Sequence, residues 1–290
     1  MSNISLEQNF NMYNKLGTLT LLSNNIETAN EGLSIYLEKI GSMFINKVES
    51  VREVLGISSK QANTVANNFN GYVDDLTKNR DDLIWVVNNI SYMVVSQARV
   101  MAPVGLKVDL LKAANELESS IKMIKEVVNK SLDELDFTVS AILNDVNYRT
   151  QSKPLKPDME AAKCGEKLYS VLNRIVDTKK VEDTKIVKDL IPNISCLTKL
   201  YDSLIKSSEY TSVDVLKGIN EKVDEVYVKV QTLEEEMEGD FTISKNVLKK
   251  LAEDLENNAR MVTVTMNTIY LYNQIVLCVN NMVKKFKNMK

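Results

Sequence analysis

The chain has 290 residues, and 36 Lys and Arg against 39 Asp and Glu give a formal net charge of −3, so the charge balance gives no reason to expect nucleic acid as a partner. Only nine Gly and four Pro occur, too few for the frequent turns of a β-sandwich or barrel. The chain contains no His, which excludes imidazole metal ligands, His general acid/base catalysis and every catalytic triad with a His base.

Residues 1–57 predict a region of N-terminal amphipathic helices, one over 5–29 and a second over 31–55. The first residues lack the basic stretch and apolar run of a secretion signal, so we expect none. Three scattered cysteines, Cys164, Cys196 and Cys278, form no CxxC pair. Their number and spacing favour a reducing compartment over a disulfide framework.

Residues 58–148 predict a long helical hairpin. From Val65 to Val100 the seam positions follow one another in alternating steps of four and three, which is the heptad pattern of packed helices. This first helix is predicted over 58–101 and ends before Pro103 and Gly105, and a second heptad run occupies 106–148. The polar stretch 149–157, with two prolines, predicts a linker.

Residues 158–290 predict a C-terminal helical region. It has helices over 158–180 and 183–209, the second kinked or split at Pro192, and a second long hairpin over 213–289. Thr242 or Ser244 is expected to cap the last helix. The hairpin seams supply the candidate helix-packing and interaction residues: Leu216, Ile219, Val223, Val226, Val230, Leu233, Leu248, Leu251, Leu255, Val262, Ile269 and Val276.

These patterns together predict an all-α fold, an elongated bundle of long antiparallel helices with coiled-coil-like heptad seams. Four polar residues, Asn79, Gln97, Asn258 and Thr265, interrupt the otherwise apolar seams. Polar residues at such positions commonly fix helix register, and we favour that interpretation. A polar channel through the bundle is the alternative.

Residues 261–283 form an uncharged run of 23 residues, followed by a basic tail. This length is sufficient to cross a bilayer. Asn267, Asn273, Gln274 and the pair Asn280-Asn281 oppose insertion, because amide side chains are unfavourable in hydrocarbon. We therefore favour a buried bundle seam, with a membrane contact through 261–283 as the less favoured possibility.

No motif in the sequence predicts catalysis. The acidic residues between Glu234 and Asp240 lack the spacing of a Ca²⁺ loop and are read as a solvated helix end. Neither phosphate-binding glycine motif occurs. We predict a non-enzymatic chain with no catalytic residue, no metal site, no cofactor and no small-molecule substrate, whose partners are proteins, either other subunits of an assembly or copies of itself.

The segment from Glu27 to Ile45, ETANEGLSIYLEKIGSMFI, resembles the amphipathic N-terminal segments of helical virion proteins, internal or structural, of large tailed bacteriophages. Ala29-Asn30-Glu31 also resembles the cleavage sites of their prohead proteases, with cleavage after Glu31. The resemblance implies a structural or internal virion component, located in the virion or the host cytoplasm. The alternative function is a membrane-active helical protein resembling α-helical pore-forming toxins, which share long helices and one uncharged segment.

Overall fold

The computed structural model describes residues 74–177, 184–208, 213–237 and 242–289. Most of these residues are helical, and the two strands have three residues each, which confirms the all-α class. The predicted helices of 1–57 and the segment 27–45 lie outside the described residues. In chain order the elements are α1 (Arg80–Asn89), α2 (Tyr92–Val95), β1 (Arg99–Met101), α3 (Leu110–Asn144), α4 (Val146–Thr150), α5 (Met159–Ile175), β2 (Thr184–Ile186), α6 (Val187–Leu190), α7 (Cys196–Ser208), α8 (Val213–Met237) and α9 (Lys245–Lys287).

The chain divides into two compact units, each assembled from separate stretches of sequence. The described part of unit 1 comprises 126–166, 218–237 and 242–264, and that of unit 2 comprises 74–125, 167–177, 184–208, 213–217 and 265–289. Four helices, α3, α5, α8 and α9, contribute residues to both units. Heptad patterns read along the chain do not reveal this grouping.

The core of unit 1 joins α3, α8 and α9. It is a single cluster of buried side chains: Leu135, Val139, Ile142, Val226, Val230, Leu233, Ile243, Val247, Leu248, Leu251 and Leu255. Lys222 pairs with Asp133, and Lys229 pairs with Asp136. Both residues of the second pair lie further along their helices than those of the first, so α3 and α8 run in the same direction. Residues on both sides of the connection between α8 and α9 share this core.

Ser244, one of the two residues that the sequence predicts as a cap, caps the N-terminus of α9. Its hydroxyl oxygen accepts a hydrogen bond from the backbone N–H of Val247, at 3.4 Å, and donates to the carbonyl oxygen of Gln151, at 2.6 Å. The backbone N–H of Ser244 donates to the carbonyl oxygen of Arg149. The helix start is therefore tied to the segment that follows α3.

The core of unit 2 includes the second part of α9, which is buried on nearly every side. Tyr272 illustrates how the helix is held: its ring is buried, and its hydroxyl donates a hydrogen bond to the carbonyl oxygen of Leu204 in α7. Burial raises the pKa of Tyr272 far above its usual range, so the hydroxyl stays protonated as a donor. By length and apolarity α9 could also cross a membrane, but 83% of its most apolar window is buried inside the structure.

The prediction of an unbroken helix to residue 101 is wrong. Helix α1 ends at Asn89, whose side-chain amide donates to the carbonyl oxygen of Trp85, and Ile90 is extended. Residues 99–101 form β1, which pairs in antiparallel register with β2. The heptad spacing of apolar residues through this stretch misled the prediction, because the pairing of β1 with the distant β2 overrode the local helical pattern.

Other helix boundaries also differ from the predictions. The run at 106–148 divides into α3 and α4, because the side chain of Asp145 accepts the N–H of Asn147 and starts a new helix. The predicted helix over 183–209 begins instead as β2, followed by one turn of α6. The predicted break at Pro192 is present, since α6 ends at Leu190 and α7 starts at Cys196.

Candidate interaction surface

The predicted helix-packing residues are buried wherever their side chains are described. Of the twelve, Leu216 is helical but its side chain lies outside the described set, and the other eleven are each at most 7% exposed. Six of them belong to the core of unit 1: Val226, Val230, Leu233, Leu248, Leu251 and Leu255. Since these side chains are enclosed within the chain, their predicted role in contacting a partner needs a different surface.

The exposed large apolar side chains concentrate in unit 2, in the stretch from α1 to the start of α3. Among the described residues, ten large apolar side chains are exposed, and six of them lie between residues 84 and 104. We name this stretch the apolar segment 84–104. Its exposed members are Ile84, Trp85, Met93, Val94, Met101 and Val104. Isolated exposed apolar residues are ordinary on protein surfaces, but a concentration within one stretch indicates a contact surface.

Helix α1 shows how local structure exposes these side chains. Leu83 and Val86 face the core of unit 2, so the intervening Ile84 and Trp85 point away from it, as the helical period requires. The heptad seam from Val65 to Val100 includes Val86, but it does not account for the apolar neighbours of Val86 on the opposite face. The uncharged run Leu83–Ala98 indicates this exposure in the sequence, because it contains more apolar residues than one buried helix face can include.

Helix α2 and strand β1 continue the same arrangement. Val95 is completely buried while Met93 is 85% exposed, the highest exposure among the large apolar residues described. In β1 the side chains alternate, with Val100 buried and Met101 exposed. Tyr92 ties α2 to the rest of unit 2 through its hydroxyl, which donates to the carbonyl oxygen of Ile191 at 2.6 Å.

Several polar groups of the apolar segment are bonded within the protein. The side-chain amide of Asn89 donates to the carbonyl oxygen of Trp85, and the hydroxyl of Ser96 donates to that of Met93. The backbone N–H groups of Val94, Ser96 and Ala98 each donate to a carbonyl oxygen three or four residues earlier. Because these polar groups already have partners, covering them with an apolar partner carries a small desolvation cost.

Three lysines in the last turn of α9 bind residues around the apolar segment. Lys284 pairs with Asp75 at 2.9 Å, Lys287 pairs with Asp82, and the ammonium group of Lys285 donates to the carbonyl oxygen of Arg99. The hydrogen bond and charge of Lys284 lower the pKa of Asp75. The end of α9 therefore holds the base of the apolar segment in place.

Unit 1 contains a groove lined by charged and apolar side chains. It has a volume of about 460 Å³ and is lined in part by Phe137, Asp158, Lys250 and Asp254. Asp254 is almost fully buried; it accepts hydrogen bonds from the ammonium group of Lys250 and from the backbone N–H of Asp158. Burial raises the pKa of Asp254, and the two hydrogen bonds oppose this.

The other charged groups of the groove are also largely paired. Lys130 binds Glu160 at 3.0 Å, and Asp133 binds Lys222. Ion pairs of this kind connect helices and offer no poised acid or base. Within the described ranges, no group of three or more His, Cys, Asp or Glu is placed to hold a metal ion. The three cysteines are free and buried, and burial raises the pKa of Cys278 to about 12, so its thiol stays protonated.

Comparison with known proteins adds no family. No family model matches the chain, no curated protein is similar enough to count as a match, and no solved structure matches the fold.

Proposed function

We propose that the chain is a non-enzymatic structural or protein-interaction protein that binds its partner through the apolar segment 84–104. The observation that carries this proposal is the concentration of exposed Ile84, Trp85, Met93, Val94, Met101 and Val104 in one stretch of unit 2. Tryptophan and methionine are enriched at protein interfaces, and internally bonded polar groups let such a surface be covered. The partner is another subunit of an assembly or a second copy of this chain.

The specific form that we propose is a virion component of a large bacteriophage. The support for it is the resemblance of residues 27–45 to N-terminal segments of helical virion proteins, together with the all-α fold. Those residues lie outside the described ranges, so this part of the proposal depends on the sequence alone. It predicts that the chain is recovered with virions and that mature copies begin after Glu31.

A double substitution in α2 tests the proposed surface. Met93→Ser with Val94→Ser removes two exposed apolar side chains and leaves the buried Val95 unchanged. We expect the far-ultraviolet circular dichroism and melting temperature to stay close to those of the native chain. Chemical cross-linking in the native source, followed by mass spectrometry, should recover the partner with the native chain and lose it with the variant.

Val228→Ser is the matched control for this experiment. Val228 is 59% exposed on α8 in unit 1, so it is an apolar surface residue outside the apolar segment. The control variant should recover the same partner as the native chain. Equal recovery with all three chains would contradict the assignment of this surface.

A membrane-active protein is the second candidate function. It is favoured by α9, the described helix that is long and apolar enough to cross a bilayer, and by the lysines at its end, which suit anionic headgroups. Liposome flotation and release of trapped dye distinguish the two functions. The interaction proposal predicts that the chain stays in solution and releases no dye. Flotation with dye release would replace it with the membrane function.

A further inference from the structure

We propose that α9 is a switch element, built to leave its place in unit 2 more readily than the other buried helices of that unit. This inference goes beyond the proposed function and does not depend on the identity of any partner. Helix α9 carries several buried polar side chains in the stretch between residues 265 and 273. Thr265, Asn267 and Asn273 are each at most 3% exposed.

These three side chains contain buried polar atoms without partners. The hydroxyl oxygen of Thr265, the side-chain carbonyl oxygen of Asn267, and both polar atoms of the Asn273 amide have no hydrogen-bond partner among the described residues. A buried polar group without a partner loses its hydrogen bonds to water and gains nothing in return. The folded arrangement of this stretch therefore carries a cost that another arrangement can remove.

Other buried hydroxyl groups in these helices do form hydrogen bonds. In α3, the buried hydroxyl of Ser120 donates to the carbonyl oxygen of Glu116 at 3.1 Å. In α9 itself, the buried hydroxyl of Thr263 donates to the carbonyl oxygen of Ala259 at 2.8 Å. Thr265 is equally buried and makes no such bond. Helix geometry thus permits the bond, and the two threonines form a matched pair.

The contacts at the end of α9 give its movement a consequence. Lys284, Lys285 and Lys287 bind Asp75, the carbonyl oxygen of Arg99 and Asp82, respectively. These ion pairs are partly exposed, so each contributes little to stability. When α9 leaves unit 2 the three contacts break together, and the base of the apolar segment 84–104 is released. In this way α9 controls how firmly that segment is held.

Native-state hydrogen exchange tests whether α9 opens separately. Unit 2 also contains residues 110–125 of α3, where Leu110, Leu117 and Ile121 are completely buried. We expect the backbone amides of 265–283 to exchange at least about tenfold faster than those of 110–125, through a partial opening of the fold. Equal protection of the two segments would overturn the proposal.

Two threonine variants test the cause of the opening. Thr265→Val replaces the unpaired hydroxyl by a methyl group of similar size and should raise the melting temperature by about 2 °C or more. Thr263→Val removes a bonded hydroxyl and should leave the melting temperature unchanged or lower it. Thr265→Val should also slow exchange over 265–283. A fall or no change with Thr265→Val, or equal rises with both variants, would overturn the proposal.

Asn273→Leu provides a second, independent test of the cost of unpaired polar atoms in α9. Leucine has the same number and branching of side-chain heavy atoms as asparagine and no polar atoms, so it removes both unpaired groups of Asn273. We expect a higher melting temperature and slower exchange over 265–283, as for Thr265→Val. Lower stability would show that the amide of Asn273 is satisfied in solution, for example by bound water, and would contradict the proposal. These outcomes are independent of the cross-linking result that tests the proposed function.

Discussion

Gly105 and Asp177 approach each other so closely that no side chain fits between them. The backbone N–H of Asp177 donates to the carbonyl oxygen of Gly105 at 2.7 Å, and Gly105 has a φ of +68°. A Cβ atom at Gly105 would lie 2.0 Å from the carbonyl oxygen of Asp177. This contact joins the end of the apolar segment to the residues after α5, and it requires glycine on two separate grounds.

Gly105→Ala should therefore strongly destabilise the chain. Both the positive φ and the clash with a backbone oxygen oppose a Cβ atom, and we expect a loss of at least about 2 kcal/mol in the free energy of unfolding. Urea denaturation measures this loss. Gly218→Ala is the control, because Gly218 lies in α8 with no atom within 4 Å of an added Cβ. That change should stabilise the chain by about 0.5–1 kcal/mol.

Leu255 and Glu253 test the seam of α9 in unit 1. Leu255 belongs to the buried core cluster, and Leu255→Ala should lower the free energy of unfolding by about 2–5 kcal/mol because it leaves a cavity. Glu253 is only partly buried and outside that cluster, so Glu253→Ala should change stability by less than about 0.5 kcal/mol. Similar losses at both positions in urea denaturation would refute the register of the seam.

The raised pKa of Asp254 predicts a specific pH dependence of the free energy of unfolding. Its pKa is raised in the folded chain, mainly by burial, so the folded state holds its proton to a higher pH than the unfolded state does. This group therefore lowers stability as pH rises from the unfolded pKa, about 3.9, through the higher folded pKa. Below a pH of about 3.9, the stabilising contribution of protonated Asp254 is fully present.

Asp254→Asn isolates this contribution, because asparagine has similar size and does not titrate. The variant should gain stability relative to the native chain as pH rises through the window, and show no such relative gain below it. Melting curves recorded between pH 3 and pH 7 provide the measurement. A relative stability that falls with pH would mean that the ion pair with Lys250 outweighs burial, and that the pKa of Asp254 is lowered.

The sequence predicted the helical class and the buried seams for a definite physical reason. Residues such as Val226, Leu251 and Leu255 recur at helical spacing, and burial of one face is what that spacing produces. The cap at Ser244 was visible in the same way, from a hydroxyl residue just before an apolar run. Local rules are sufficient where a residue's nearest neighbours in sequence decide its structure.

The apolar segment was not predicted, because its structure depends on contacts distant in sequence. Strand β1 forms by pairing with β2, more than 80 residues later, and Tyr92 is held by Ile191. The heptad spacing of Ile90, Met93 and Val100 predicted a continuous helix with these residues on one seam. In the structure Met93 is exposed and Val100 lies in a strand, so tertiary contacts overrode the local pattern.

The emission of Trp85 reports whether a partner covers the apolar segment, because the chain has a single tryptophan and it lies in that segment. The measurement compares the tryptophan emission and its quenching by acrylamide in the isolated chain and in the complex recovered by cross-linking. We expect the emission maximum of Trp85 to shift to shorter wavelength and acrylamide quenching to decrease in the complex. The reason is that the partner covers Trp85, which is 37% exposed in the isolated chain. Unchanged emission and quenching in a verified complex would contradict it, since the partner would then bind elsewhere.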